Sequence, residues 1–200
     1  MKKVGIYGGT FNPPHIGHIS AAQRFKDHLS LDKLIIMPSF IPPHKDYFCN
    51  ETPLERKEMC IRAFGHIDGA EISDFEINRG GKSYTAITLK AFSSPDTELY
   101  FLCGTDMFLT LEQWYEFRTI FNLATICCVR RDNEDFNTLL VEEMKERYIE
   151  KYGARIVTVP CDVIEISSTE VREALKSEKN YNKFITREVY EYITEKGLYK

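Results

Sequence analysis

The chain has 200 residues, 43% of them hydrophobic and 28% charged, which predicts a single folded domain over 1–200 and excludes intrinsic disorder. A net charge of −4 argues against a protein that binds nucleic acid by neutralising its phosphates, although a small anionic substrate needs only a few well-placed cations. The sequence has no apolar run long enough to cross a membrane and no signal-type stretch after "MKK", so we expect a cytosolic protein with no membrane partner.

The six cysteines form no CxxC pair, and several stand in apolar segments where a thiol packs as a small hydrophobe. Their spacing gives no indication of a disulfide framework. We expect reduced thiols at Cys49, Cys60, Cys103, Cys127, Cys128 and Cys161.

Hydrophobic periodicity predicts alternating strands and helices. In chain order they are a strand at 4–7, a helix at 17–29, a strand at 33–38, a helix at 54–64, a strand at 70–77, a helix at 83–92, a strand at 98–104, a helix at 111–121, a strand at 124–129, a helix at 138–153, a strand at 155–159, and helices at 169–176 and 186–195. Ser83 is the expected N-cap of the helix at 83–92, and Gly153 and Gly197 end the helices before them.

This alternation predicts an α/β fold, doubly wound, with a mostly parallel sheet and helices on both of its faces. Such sheets bind ligands at the carboxyl ends of their strands. Residues that directly follow a strand are therefore the candidates for chemistry.

The stretch "GGTFNPPHIGHIS" at 8–20 joins the first strand to the first helix. Gly8 and Gly9 let the backbone approach a ligand, and the N-terminus of the following helix adds partial positive charge, a combination suited to phosphate. The stretch is neither the dinucleotide GxGxxG nor a GxxxxGK[ST] loop. The glycines alone are equally typical of a tight turn without a ligand.

His15 and His18 favour the phosphate interpretation, because a spacing of three in the first helical turn puts both imidazoles on one face. Gly17 between them leaves room for a ligand. Two imidazoles can donate hydrogen bonds to phosphate oxygens and offset developing charge. A metal pair is the rival interpretation, but no third ligand is nearby and no HExxH pattern is present.

A second candidate stretch, "EISSTEVREAL", lies at 165–175. It places three hydroxyls at a helix N-terminus, those of Ser167, Ser168 and Thr169. The guanidinium of Arg172 follows one turn later on the same face. An ordinary helix cap is the alternative. Neither Ser168 nor Thr169 as N-cap gives a capping box, because Val171 or Arg172 would then stand at the third helical position.

Together, "GGTFNPPHIGH" and "ISSTEVRE" resemble the HxGH nucleotidyltransferase superfamily. More narrowly, "IPPHK", "GGKSYT", "CGTDMF" and "QWYEF", in this order, are similar to the bacterial nicotinate-nucleotide adenylyltransferase family. The resemblance runs from Lys3 to the "EKGLY" ending at 195–199. One departure is Asn12, where many relatives carry Asp.

The resemblance implies a Rossmann-like fold and a cytoplasmic enzyme of NAD biosynthesis, with ATP and nicotinate mononucleotide as small-molecule partners and Mg²⁺ accompanying ATP. The mononucleotide phosphate would attack the α-phosphorus of ATP in line, giving deamido-NAD and pyrophosphate, so that catalysis is positioning and charge stabilisation. Gly8, Gly9 and Thr10 would cradle phosphate, and His15 and His18 would contact the ATP phosphates, with His18 on the α-phosphate.

By the same resemblance, Ser167, Ser168, Thr169 and Arg172 would hold ATP, with Arg172 on the outer phosphates. Lys45 would reach over the reacting phosphates, unless it is a solvated surface lysine. On the mononucleotide, Trp114 would stack on the pyridine ring near Thr85 and Tyr115. A core role for Trp114 remains the alternative, and Asp106 would either bind a ribose hydroxyl or cap the next helix.

Two other functions remain open at this point. An enzyme of the same superfamily with another acceptor, such as phosphopantetheine or the amide mononucleotide, is the nearer one. A nucleotide-binding regulator without turnover is the other, although such a protein has no need of His15, His18 and Arg172 together.

Overall fold

The computed structural model describes residues 1–43, 51–131, 135–161, 164, 166–177 and 183–200. These residues form six strands, β1 (Lys2–Gly9), β2 (Lys33–Pro38), β3 (Ala70–Ile72), β4 (Thr97–Cys103), β5 (Ala124–Arg131) and β6 (Ile156–Cys161). The helices among them are α1 (Ile16–Leu29), α2 (Pro53–Phe64), α3 (Phe75–Arg79), α4 (Thr85–Phe92), α5 (Thr105–Phe108), α6 (Phe117–Leu123), α7 (Asp135–Tyr152), α8 (Ser168–Lys176) and α9 (Arg187–Lys196).

The strands pair in the order β3-β2-β1-β4-β5-β6, and every pairing is parallel. The chain builds outward from β1 to β3, returns to add β4 on the other side of β1, and then builds outward again. The prediction of a doubly wound, parallel α/β fold is confirmed. The direction reverses between β1 and β4, and the carboxyl ends of these two strands therefore border the crevice in which such folds bind ligands.

The sheet is buried on both faces, as the unbroken apolar runs in its central strands require. Leu34 and Ile36 of β2 belong to one core cluster, whereas Ile35 and Met37 belong to the other, because successive side chains of a strand point to opposite faces. The first cluster includes buried residues of α1, α2, α8 and α9, and the second includes residues of α4, α5, α6 and α7. Helices therefore cover both faces.

Three local predictions are wrong. The strand expected at 70–77 ends at Ile72, because the Ser73 hydroxyl accepts the Phe75 N–H at 3.2 Å and α3 begins there instead. The helix expected at 111–121 is divided into a 3₁₀ helix (Leu111–Gln113) and α6, since Glu116 adopts a left-handed conformation with φ 49°.

The third wrong prediction concerns Ser83, which does not cap α4. Its hydroxyl accepts the Phe40 N–H at 2.9 Å, and Tyr84 occupies the N-cap position without a side-chain hydrogen bond to the helix. Ser83 therefore ties the chain before α4 to the chain after β2.

The five described cysteines are buried free thiols, while Cys49 lies outside the described residues. Burial is the main cause that raises the pKa of the Cys128 thiol to about 12, so the reactive thiolate is disfavoured. In the part of the chain that the structure describes, no helix is long and apolar enough to span a membrane.

Candidate active site

The turn after β1 is shaped by a phenylalanine folded beneath it. Phe11 is 2% exposed and left-handed (φ 49°), and a Cβ at residue 9 would come within 2.8 Å of its ring, so glycine is required there. The backbone carbonyl of Gly9 accepts the Ser39 N–H at 2.9 Å, and that of Thr10 accepts Arg56 Nη1 at 2.7 Å. Two carbonyl oxygens that would repel phosphate are thereby held on the protein side of the turn.

The two histidines lie together, as their spacing predicts. Their ring centroids are 3.6 Å apart with 31° between the ring planes, and His15 is the N-cap residue of α1. His18 Nδ1 accepts the backbone N–H of His15 at 3.2 Å, so a neutral His18 carries its proton on Nε2. A Cβ at residue 17 would lie 3.1 Å from His15 Nδ1, and glycine at this position leaves space for that ring.

The amino end of α8 reaches the loop that follows β1. Ser168 Oγ donates to the Pro13 carbonyl at 3.0 Å, and Arg172 Nη1 donates to the Asn12 carbonyl at 2.8 Å. Arg172 Nη2 also bonds Thr169 Oγ1 at 3.0 Å. The two sequence motifs, more than 150 residues apart, therefore form one surface.

The cap of α8 differs from the prediction. Ser167 is the N-cap, its hydroxyl accepts the Glu170 N–H at 3.2 Å, and the Glu170 carboxylate accepts the Ser167 N–H at 2.7 Å in a capping box. The hydroxyl and backbone N–H of Ser167 hold the pKa of Glu170 below its usual range, with a smaller contribution from His15. The carboxylate therefore stays ionised at the edge of the site.

The residues expected to bind the pyridine ring lie on the other side of β1. The Trp114 ring is half-buried and packs edge-to-face on Phe101 of β4, with centroids 6.1 Å apart, and the Phe101 ring is also the closest group to a Cβ at residue 8, at 3.8 Å. Trp114 thus contributes to the core, and the Phe101 side chain lies between it and the glycine turn.

Tyr115 lies beside the start of α4, where Thr85 is the first helical residue. Tyr115 is 48% exposed, and its ring contacts that of Tyr84 with centroids 4.5 Å apart and 35° between the ring planes. Asp106 is exposed in the first turn of α5, and it does not cap that helix, because the N-cap residue is Gly104. Lys45, the remaining predicted site residue, lies outside the described residues.

Arg56 is a site residue that sequence reasoning missed. It is 1% exposed in α2, where it donates to the carbonyls of Thr10, Ser39 and Phe40 at 2.6–3.1 Å and so joins the carboxyl ends of β1 and β2. Arg56 lies on the buried stripe of α2 with Met59, Cys60 and Ala63. An arginine within an apolar helical stripe is the signal that could have revealed it.

Known proteins match this chain over most of its length. A family model described as cytidylyltransferase-like matches residues 6–174. A relative from Clostridium botulinum, named as a nicotinate-nucleotide adenylyltransferase, is 36% identical over 200 residues and covers 100% of this chain and 99% of its own length. The chain belongs to the nicotinate-nucleotide adenylyltransferase family. A family member from Caldicellulosiruptor saccharolyticus is also 36% identical, over 99% of each chain.

Solved structures share the fold of this family member. The Plasmodium falciparum nicotinic acid mononucleotide adenylyltransferase complexed with NaAD has a TM-score of 0.78 and 19% sequence identity, covering 100% of this chain and 98% of that one. The same protein complexed with APC has a TM-score of 0.77. The expected nucleotidyltransferase fold is confirmed.

Proposed function

We propose that the protein transfers the adenylyl group of ATP to the 5′-phosphate of nicotinate mononucleotide, forming deamido-NAD and pyrophosphate. The observation that carries this proposal is the joining of α8 to the loop after β1 through Arg172 and Asn12, beside the two adjacent imidazoles. It gathers cationic and hydrogen-bonding groups at the reversal point of the sheet, which suits a polyphosphate.

The reaction needs no covalent enzyme intermediate. An oxygen of the mononucleotide phosphate forms a bond to the α-phosphorus, the bond from that phosphorus to the bridging oxygen breaks, and the electron pair leaves with pyrophosphate. His18 would donate from Nε2 to the α-phosphate or the leaving oxygen, because its Nδ1 is occupied by the backbone of residue 15.

The ATP phosphates would contact both motifs. Arg172 would bind the outer phosphates, and its bonds to Asn12 and Thr169 orient the guanidinium. These two bonds use two of the five N–H donors that a guanidinium carries. The remaining contacts to the ATP phosphates would come from backbone groups, side-chain hydroxyls and the His15 imidazole. The residues concerned are Gly8, Gly9, Thr10, His15, Ser167, Ser168 and Thr169. Lys45 would add a movable cation over the reacting phosphates.

Magnesium would enter with ATP. Within the described ranges, no group of three or more His, Cys, Asp or Glu side chains is placed to hold a metal ion, and the side chains proposed to bind the phosphates are cationic or neutral. Phosphate oxygens and water are the ligands that Mg²⁺ then takes, and the ion neutralises phosphate charge when bound.

The nicotinate ring would stack on Trp114, with Thr85 and Tyr115 beside it and Asp106 on a ribose hydroxyl. The contact between the Tyr84 and Tyr115 rings brings Tyr115 to the N-terminus of α4, where backbone N–H groups favour a carboxylate over a neutral amide by about 0.3–1 kcal/mol. The proposal therefore includes a preference for the acid form of the mononucleotide.

An acceptor panel tests the substrate assignment. Purified protein with ATP and Mg²⁺ should release pyrophosphate with nicotinate mononucleotide, and more slowly with the amide mononucleotide. Faster release with phosphopantetheine, or no release with any acceptor, would contradict the proposal.

His18→Ala tests the catalytic role. We expect kcat to fall about 10²- to 10³-fold, the usual cost of removing one donor to developing charge, with ATP affinity measured by calorimetry nearly unchanged. His28→Ala is the matched control, because His28 lies exposed in the last turn of the same helix. Equal small losses of binding and turnover in His18→Ala would favour the nucleotide-binding regulator.

A further inference from the structure

Asn12 is held by residues from two distant parts of the chain. It is 3% exposed, its Nδ2 donates to Glu51 Oε2 at 3.1 Å, and its Oδ1 accepts the hydroxyl of Tyr199. Glu51 is 8% exposed and Tyr199 is 7% exposed, so all three polar side chains are withdrawn from water. Hydrogen bonds in such surroundings matter, because a buried polar group that loses its partner is costly.

The Glu51 carboxylate determines how the amide of Asn12 is oriented. An ionised carboxylate only accepts hydrogen bonds, so the amide nitrogen must face Glu51 and the amide oxygen must face Tyr199. Aspartate at position 12 would instead place two carboxylates about 3 Å apart. An amide at position 12 is therefore compatible with the Glu51 carboxylate, whereas an acid there would be repelled by it.

The backbone of Asn12 extends this arrangement to the site. Its carbonyl is the acceptor for Arg172 Nη1 at 2.8 Å, and Pro13, the next residue, accepts Ser168 Oγ. A displacement of the Asn12 side chain moves the two carbonyls to which α8 is attached.

We propose that Glu51 and Tyr199 are positioning residues that hold Asn12, and through its carbonyl hold Arg172, in the geometry for binding the ATP phosphates. The assignment rests on the proposed adenylyl transfer for its catalytic consequence, but the hydrogen-bond arrangement itself can be tested by nucleotide binding alone. It implies that the hydrogen-bond donor and the acceptor can change places between positions 12 and 51, provided that one side chain is an amide and the other an acid.

A double-mutant cycle tests the proposal. Asn12→Asp should lower kcat/KM for ATP about tenfold to a hundredfold, because it sets a second carboxylate against Glu51. In Asn12→Asp with Glu51→Gln, the glutamine amide donates to the new carboxylate, and kcat/KM for ATP should return to within a few-fold of the wild type. Glu51→Gln alone should lose less than Asn12→Asp, since its amide oxygen still accepts from Asn12.

Tyr199→Phe is the independent variant at the other side of Asn12. It removes only a hydroxyl, and we expect a severalfold loss of kcat/KM for ATP with the KM for the mononucleotide unchanged, because Arg172 belongs to the ATP side. Glu58→Gln is the matched control and should equal the wild type, because Glu58 is a half-buried carboxylate that pairs with Arg62 within α2.

The readouts separate positioning from general destabilisation. A purely structural role would lower the melting temperature and both KM values together, without rescue by Glu51→Gln, and that result would overturn the proposal. Asn12→Asp with wild-type kinetics would also overturn it. If the wild type shows no turnover with any acceptor, the proposed function fails, and the same cycle measured as ATP affinity still decides the positioning role: coupling between 12 and 51 supports it, and additivity contradicts it.

Discussion

The charge of Arg56 is solvated by protein rather than by water. Three backbone carbonyls surround its 1% exposed guanidinium, and two of them belong to Ser39 and Phe40 directly after β2. Arginine suits this position because its planar guanidinium presents five N–H donors in a fixed geometry, whereas lysine has three donors on a flexible stem. The residue holds the ends of two neighbouring strands together.

Arg56→Met should therefore destabilise the protein by about 3 kcal/mol, because three carbonyls lose a charged donor and remain buried. Urea unfolding monitored by circular dichroism measures the change. Arg187→Met is the control, since Arg187 is 85% exposed in an i,i+4 pair with Glu191 that is worth at most about 0.5 kcal/mol. Equal losses in the two variants would contradict the role assigned to Arg56.

Glu76 is a buried acid behind the start of α4. Its carboxyl is 6% exposed and accepts Thr88 Oγ1 at 2.5 Å, and burial, opposed by hydrogen bonds from Thr88 and Ser83, raises its pKa. The folded state therefore binds a proton more readily than the unfolded state does. This group's contribution to stability is complete below its unfolded pKa of about 4.5 and is lost as pH rises through the folded pKa.

Glu76→Gln removes that titration while keeping an acceptor for Thr88. We expect the free energy of unfolding of the variant, relative to the wild type, to increase from pH 4 to pH 8, as measured by urea unfolding at several pH values. Parallel pH profiles for the two proteins would show that Glu76 does not titrate as described.

At the scale of elements, Glu112 joins the 3₁₀ helix before Trp114 to α7. Arg147 donates to both of its carboxylate oxygens at 3.0 and 3.1 Å, the Tyr152 hydroxyl donates to Oε1, and Lys151 is 3.5 Å away. The hydrogen bonds from Arg147, followed by that from Tyr152, lower the pKa of Glu112 to about 2. The contribution of this group is present above its unfolded pKa of about 4.5 and is lost as pH falls toward 2.

Glu112→Gln should lower the melting temperature slightly at pH 7, and the difference from the wild type should shrink below pH 4.5 as Glu112 itself becomes protonated. Differential scanning calorimetry across pH 2–7 measures this convergence. Glu150→Gln, on the exposed side of α7, is the matched control. A constant difference would exclude titration of Glu112 as its source.

Elements with a buried apolar run were predictable, and those decided by one side-chain hydrogen bond were not. The strand predicted at 33–38 is β2 to the residue, because both faces of a central parallel strand require apolar side chains. The end of β3, by contrast, depends on the Ser73 hydroxyl, and the cap of α8 depends on Ser167 and Glu170. Periodicity carries no information on such local competition between side chain and backbone.

At the scale of the whole molecule, the meeting of the two motifs could be predicted, because alternating strands and helices bring strand ends to one edge of the sheet. The residues that hold those motifs could not be predicted. Arg56 bonds a carbonyl 46 residues away, Glu51 bonds a side chain 39 residues away, and Tyr199 bonds one 187 residues away. Hydrogen bonds between residues so far apart in the sequence depend on how the whole chain packs, and local sequence patterns carry no information on that packing.

The hydrogen bond between Tyr199 and Asn12 joins the loop after the first strand to the segment that follows α9, and the carbonyl of Phe184, before α9, accepts the N–H of Ile16 at the start of α1. The segments on either side of α9 therefore brace the chain between β1 and α1. A substitution that loosened the packing of α9 would release this bracing without touching any group proposed to contact nucleotide. Affinity for nucleotide and the local stability of α9 are in this way coupled through the fold.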